Sequence, residues 1–508
     1  MQRDTAHAPS RSAPHPNTSP APTANGSQRG VALLLLMYGA VVTVVIASQR
    51  IPYRAAFDQK LYHLPVIRDF ARSWPSFETW DYLTATTPGF HVLMATVARV
   101  FGDSTLPLQV TAAAITGVLL WLIARDGSRF APASIVAAVS VPIIASPYTL
   151  FPATFLLPDN MGWLGVIAMV LIALRPPTWK TLTVGALVLC GLVLTRQVHA
   201  WTAGLLWVSA WLSVESPEKR SWFGGMFTRP GLRAARALVA VGVSIPALLL
   251  LYAFVHYWGG LVPGRFAEQI PPATASRIIS SAAAPLLLSM LGGYSVFSAG
   301  LLWQPLRSLW RHHKGVLVGA AAVGAVLAII PATTADFDAG RRGVLWSLGM
   351  KGPVIAGRTS VVVVLTSAWG AVCAAAWLSA CSRRDRSIFL AAMVGFTVSQ
   401  LPSMQLWHRY FDPFVLFMLA LIAPRAWAAT AAHTQRMRTV QVAGPAVLAT
   451  ILLAYSTSMF FETGLHAAQR MSDPAPPSKD PDGLHHGIDP PVDKPPTPKP
   501  AGKAFWPW

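Results

Sequence analysis

Six short polar segments interrupt an otherwise apolar chain, and their residue types suit acid–base and phosphate chemistry. The first is Phe57-Asp58-Gln59-Lys60-Leu61-Tyr62-His63-Leu64-Pro65, shortly beyond the first long apolar run. A carboxylate at a membrane interface can act as a general base, because partial desolvation lifts its pKa toward neutrality. A solvated Asp58 paired with Lys60 or Arg54 is the plainer alternative. The second is Trp80-Asp81-Tyr82-Leu83-Thr84-Ala85-Thr86-Thr87-Pro88-Gly89-Phe90-His91, followed by the half-length apolar run Val92–Phe101. Pro88 and Gly89 at the start of such a run predict a re-entrant or interfacial helix. Thr86 or Thr87 can be a plain N-cap with Pro88 in the first turn, and helix starts also bind anions.

Asp159 and Asn160 stand between apolar runs, where a charge is costly without a partner or a task. Arg196-Gln197 interrupts a further apolar stretch. A planar guanidinium suits phosphate through paired charge-assisted hydrogen bonds, and an internal ion pair with Asp159 is an equally weighted reading. Gly259-Gly260, in Tyr257–Gly264, permits close backbone approach to a ligand or forms an ordinary turn. Trp407-His408-Arg409-Tyr410 offers two phosphate donors among aromatics, or an aromatic belt with an orienting Arg. No P-loop, dinucleotide fingerprint, GxSxG or HExxH is present. His312-His313 and His485-His486 fall on a basic loop and in a polar tail, so no metal site is expected.

Positioning these segments is the task of a membrane-spanning bundle. Of the 508 residues 53% are hydrophobic and 12% charged, half the charge of an ordinary soluble domain, about 25%. Cys190, Cys373 and Cys381 lie inside apolar runs and exclude a disulfide scaffold. The 40 Lys and Arg against 21 Asp and Glu give a net charge of +19. Scattered between spans, these residues suit membrane orientation and anionic lipid better than nucleic acid. Residues 1–29 predict a disordered cytoplasmic tail, 30–460 the transmembrane domain with 50–105 as its first external loop, and 461–508 a Pro-rich disordered external tail. Spans are expected at 31–48, 106–124, 131–150, 159–174, 234–256, 282–303, 315–332, 359–380, 387–403, 411–427 and 441–460. The stretch 181–213 is read as a hairpin broken near Arg196-Gln197, because only then do all the basic loops share one side. The expected fold is therefore an all-α polytopic membrane protein of about thirteen spans, with the N-terminus inside and all six polar segments outside.

In order, these segments resemble the membrane glycosyltransferases of the C superfamily, most closely the family of dolichyl-phosphate-glucose-dependent alpha-1,2-glucosyltransferases. The resemblance rests on Asp58…Tyr62-His63-Leu64-Pro65, Trp80-Asp81…Thr86-Thr87-Pro88-Gly89, Phe151–Asp159, Arg196-Gln197, Gly259-Gly260 and His408-Arg409-Tyr410, about a tenth of the chain. The chain departs from the family pattern at Gln59, where a Glu is usual, and at Lys60, which is an extra residue. Thr87-Pro88-Gly89 is shorter by one position, no Asp-Asn precedes the late cluster, and His199 stands in place of an Asn.

The resemblance implies transfer of a hexose or pentose from a polyprenyl-phosphate-linked donor to an acceptor hydroxyl on a glycan, lipid or protein at the external face. Asp58 would be the base, with Asp81 or Asp159 orienting the acceptor or replacing it. Arg196, His408 and Arg409 would hold the departing phosphate, and His63, Thr86, Thr87, Gln197, Gly260 and Tyr410 would line the substrate. It implies no cofactor beyond the donor, no metal and no nucleic acid. A cell membrane is the expected location, with the endoplasmic reticulum as the other. The competing reading is a multi-span transporter or lipid flippase, which internal repeats with paired broken helices would favour; no clear repeat is seen.

Overall fold

The structure is a computed structural model that describes residues 24–50, 56–213, 229–267, 280–336, 341–403, 406–430 and 435–472. The tails 1–23 and 473–508, Lys219, Arg220 and Gln405, and parts of the loops 257–281 and 333–358 lie outside the described residues.

The described chain is almost wholly helical. In order it forms α1 (Ala24–Ala47), a π-turn (Gln59–His63), α2 (Leu64–Arg72), α3 (Gly89–Phe101), α4 (Thr105–Gly127), α5 (Ala133–Ala145), α6 (Pro147–Thr154), α7 (Asp159–Ala173) and α8 (Trp179–Thr195). A 3₁₀ turn (Gln197–Thr202) leads to α9 (Ala203–Trp211), α10 (Pro230–Trp258), α11 (Gly264–Ala267), α12 (Ala283–Phe297), α13 (Ala299–His312), α14 (Lys314–Ile329) and α15 (Val344–Met350). Then come α16 (Val361–Ser379), α17 (Arg383–Ser399), α18 (His408–Ala428) and α19 (Gln435–Ser472). Among the described residues the strands are four two-residue pieces. Arg341–Arg342 pairs parallel to Leu406–Trp407, and Val354–Ile355 antiparallel to Thr359–Ser360.

Among the described residues six helices are long and apolar enough to cross a membrane: α1, α4, α10, α16, α18 and α19. The number rises to eight if the bent pairs α5/α6 and α12/α13 each form one span. The apolar helices α3, α7, α8 and α14 are shorter. The expected span at 131–150 is bent by 70°. Pro147 cannot continue the preceding hydrogen-bond ladder, and the Ser146 hydroxyl instead caps α6 by accepting the Tyr148 N–H at 3.2 Å. The expected span at 282–303 ends at Phe297, and the chain turns by 110° into α13. Gln304, Arg307 and Arg311 give α13 a polar face that a fully enclosed helix could not satisfy. Arg196 is extended, with φ −158° and ψ 96°, and ends α8 at the expected hairpin break.

Polar contacts sort the helix ends into two groups. At one end Arg425 of α18 meets Asp126 of α4 and Asp385 of α17. There, too, Arg384 donates to the carbonyls of Ala173, Arg175 and Ser209, and Arg233 to that of Trp211. At the other end Arg409 of α18 meets Asp58 and Asp159, Gln197 meets Ala85 and Leu261, and Ser280 donates to Leu401. The chain therefore alternates between the ends through α4, α5/α6, α7, α8, α9 and α10. All six polar segments gather at the Arg409 end.

Two boundaries differ from expectation. The first helix begins at Ala24, inside the expected tail, and α19 runs to Ser472, well beyond residue 460. Ala467, Ala468, Gln469, Arg470 and Met471 are good helix formers, and Asp473-Pro474 follows them as a stop.

Small residues let the helices approach closely, as in membrane bundles generally. A Cβ on Gly370 of α16 would collide with the Leu288 carbonyl of α12, whereas one on Gly293 would meet nothing within 4 Å. Gly370→Ala should therefore cost about 1–3 kcal/mol through overpacking. Gly293→Ala should be neutral or gain up to about 1 kcal/mol of helix propensity. Unfolding midpoints in detergent compare the two directly, and equal midpoints would contradict the close crossing.

Candidate active site

Asp58 reaches the site on a helical turn that widens just after it. Pro65 has no N–H for the Leu61 carbonyl and its ring crowds that oxygen, so the preceding turn opens and the Leu64 N–H bonds to Gln59 O instead. Such π-turns recur at functional sites. Here the turn sets the Gln59 amide oxygen against the Leu156 N–H at 2.9 Å, which fixes the turn against the end of α6.

Asp58 Oδ2 lies 2.5 Å from Arg409 Nη1, and the other nitrogen of that fork, Nη2, donates to Asp159 Oδ2 at 3.2 Å. Asp159 Oδ1 accepts from Arg196 Nη1. Four charges from four distant segments thus form one chain: Asp58, Arg409, Asp159, Arg196. Asp159 in the first turn of α7 and Arg196 at the end of α8 both complement their helix dipoles. Arg409 opposes the dipole at the start of α18, and the two carboxylates offset this. The Tyr410 ring lies 5.6 Å from the Arg196 guanidinium carbon and 6.0 Å from that of Arg409. Side-chain exposure rises from 5% at Asp159 through 15% at Arg196 to 24% at Arg409 and 29% at Asp58. The quartet therefore opens at its Asp58 end.

Gln197 joins three loops around this quartet. Its Nε2 donates to Ala85 O at 2.7 Å and Leu261 O at 2.8 Å, and its Oε1 accepts the Thr87 N–H at 3.2 Å. Thr87 Oγ1 donates to Val193 O at 2.6 Å. Gly89 is required beside it, since a Cβ there would sit 2.7 Å from Leu194 O. Thr86 accepts the Tyr82 hydroxyl on its carbonyl at 2.6 Å, while its own buried Oγ1 has no partner among the described residues. Thr87 and Gln197 thus build the wall of the site.

The remaining expected residues make no hydrogen bond or ion pair with the quartet among the described residues. Asp81 is exposed and accepts the Arg265 N–H at 3.0 Å, joining two loops, with no hydrogen bond or ion pair to the quartet. A Cβ added at Gly260 would meet nothing within 4 Å, and its N–H donates to Val255 O at 3.1 Å; its neighbour Gly259, at φ +68°, ends α10. His408 turns away from Arg409, its Nε2 accepting the Leu345 N–H at 3.2 Å. His63 is buried and bonded to His91 through Nδ1 and Nε2 at 3.0 Å.

Two partners escaped the sequence reading. His91 is fully buried, and one His on the apolar face of a short helix looks like core. Asp412, 1% exposed, accepts from Ser146 Oγ at 2.5 Å and from the Tyr294 hydroxyl. An ionisable residue inside an apolar run was the available signal. No group of three His, Cys, Asp or Glu that could hold a metal occurs among the described residues.

Comparison with known proteins finds no matching family, no matching curated protein and no matching solved structure.

Removing one member of a buried ion pair strands its partner, at about 3–5 kcal/mol. Asp159→Asn and Arg196→Gln should each destabilise on that scale, and the double variant should cost well under their sum. Unfolding free energies in a double-mutant cycle test this, and strict additivity would separate the two groups.

Burial holds His63 neutral, its pKa pushed down to about 3, and depresses His91 in the same direction. Unfolded, both rings charge near pH 6.5. Protons therefore favour the unfolded chain, so stability is full above about pH 6.5 and falls below it, by at most about 1.4 kcal/mol per pH unit per ring. The unfolding midpoint should drop between pH 7.5 and pH 5, and less steeply in the His63→Gln/His91→Gln variant.

Proposed function

We propose that this chain is a multi-pass membrane glycosyltransferase that moves a hexose or pentose from a polyprenyl-phosphate-linked donor to an acceptor hydroxyl at the external face of the cell membrane. The observation that carries the reading is the half-open quartet, in which two guanidiniums and a solvent-reaching carboxylate converge where the apolar helices end. A lipid-linked donor arrives already embedded, so its enzyme needs cations for one phosphate and a base for the acceptor, without a nucleotide pocket. Thirteen crossings with the N-terminus inside belong to the proposal. The alternation of helix ends between the Arg425 and Arg409 clusters supports them.

In this mechanism the donor phosphate competes with Asp58 for Arg409 and frees the carboxylate. The acceptor oxygen attacks the anomeric carbon in line, inverting it. The bond from that carbon to the phosphate oxygen breaks, its electron pair stays on the phosphate, and Asp58 takes the acceptor proton. Arg409 and Arg196 stabilise the charge that gathers on the leaving phosphate, where preorganised cations contribute most. Asp81, exposed and accepting the Arg265 N–H, orients the acceptor in this reading. Thr86, Thr87, Gln197 and Gly260 shape the walls.

Purified protein in liposomes, offered a panel of radiolabelled polyprenyl-phosphate hexoses and pentoses, should discharge at least one. Asp58→Asn should slow that discharge by roughly 10²–10⁴. Folded Asp58→Asn with full turnover would remove Asp58 as the base, and no discharge of any donor by wild type would remove the transferase reading.

A further inference from the structure

His63 and His91 form a buried pair joined by one hydrogen bond and a ring stack. The rings stack with centroids 5.2 Å apart, and Phe70, Tyr82 and Phe90 enclose His91 with ring centroids within 6.3 Å. His63 Nδ1 and His91 Nε2 are 3.0 Å apart, and His91 Nδ1 is buried with no partner among the described residues. The shared proton has two possible homes. If His63 Nδ1 donates it, His91 must carry its own proton on Nδ1, an orphaned N–H inside an aromatic cage. If His91 Nε2 donates it, the cage encloses only a bare lone pair. Buried N–H groups without acceptors are rarer than under-used acceptors, so the second arrangement is favoured and His63 carries its proton on Nε2.

That nitrogen has no partner among the described residues, and His63 as a residue keeps 7% exposure while His91 has none. His63 closes the π-turn that Asp58 caps, and the charged side chains that act on it are those of the quartet, Asp159, Arg409 and Arg196. The quartet already balances two carboxylates against two guanidiniums. A third cation there would be uncompensated, whereas a neutral N–H adds a directed dipole and leaves the balance intact.

We propose that His63 is a neutral hydrogen-bond donor to the phosphate of the lipid-linked donor, and that His91 is the positioning residue that keeps its proton on Nε2. This rests on the phosphate-binding part of the proposed function and not on the transfer step. A hydrogen bond to a charged oxygen is worth about tenfold to 100-fold in affinity.

The test measures binding of undecaprenyl phosphate against undecaprenol by the full-length protein in nanodiscs. Wild type should prefer the phosphate, and His63→Phe and His91→Phe should each cut that preference about tenfold to 100-fold. His63→Gln and His91→Gln keep an amide N–H and should retain most of it. In ¹⁵N-histidine-labelled protein at pH 7, the His63 signals, identified by their loss in His63→Gln, should show a protonated Nε2 and a bare Nδ1. An unchanged preference in His63→Phe, an equal loss of affinity for both lipids, no preference in wild type, or a bare His63 Nε2 each overturns the proposal. Wild type that prefers the phosphate yet discharges no glycosylated donor overturns the transferase reading alone. Active wild type with His63→Phe unaltered in preference overturns this one alone.

Discussion

The architecture at the Arg409 end depends on satisfying Asp159, a carboxylate 5% exposed at the start of an apolar helix. Left alone it would be untenable, since an isolated buried charge costs several kcal/mol or more. Its two oxygens take two guanidiniums, one from the end of α8 and one from the start of α18. Those contacts force α7, α8 and α18 to finish at one level. Arg409 then has a nitrogen left over, and that nitrogen fixes Asp58 and with it the π-turn. The loop between α1 and α4 is tied to the bundle through this bond, the Gln59–Leu156 bond and the Gln197 hub.

The opposite end solves the same problem differently. Arg425 of α18 is 5% exposed and bonds Asp126 and Asp385, so α18 is pinned by an arginine near each end. Arg384 donates to the last carbonyls of α7 and to Ser209 of α9, satisfying groups that a helix end leaves unpaired. Between these ends the contacts are apolar and close, as at Gly370 against Leu288. Lipid offers little hydrophobic drive between helices, so close packing and the two polar ends together hold the bundle.

What the sequence made legible follows from cost. Asp58, Asp159, Arg196 and Arg409 stood out because a charge beside apolar runs needs a partner, and each proved to have one. The equal alternative of an Arg196–Asp159 ion pair is what the structure contains, with Arg409 joined to it. The fold class and the break at Arg196 were legible for the same reason, as interruptions of apolar runs. Residues without that cost were harder to read. In the Gly259-Gly260 turn the conformational demand falls on Gly259, at φ +68°. His408 sat next to Arg409 in sequence, but adjacent residues on a helix point about 100° apart, and it faces Leu345. Asp412 carried a local signal, an ionisable residue inside an apolar run, whereas His91 acquires its meaning only from His63, 28 residues away. The bend at Ser146 had a local signal, Pro147, but an unbroken apolar composition masked it.

Charge balance constrains the proposed chemistry further. With two carboxylates and two guanidiniums the quartet is neutral overall, so an incoming phosphodiester is accommodated by exchange. Its single charge takes the place of Asp58 on Arg409, and Asp58, the most exposed member at 29%, is the one able to swing free. Asp159, enclosed and doubly paired, cannot be exchanged without stranding Arg196. The same count opposes a diphosphate-linked donor, which would bring a second anion with no third cation to meet it. As the glycosyl bond breaks, the phosphate gains one more negative charge while Asp58 loses its own by protonation. The summed charge of the site, one net negative with the donor bound, therefore stays constant through the step, so the low-dielectric surroundings that make charge separation costly meet no further charge as the bond breaks.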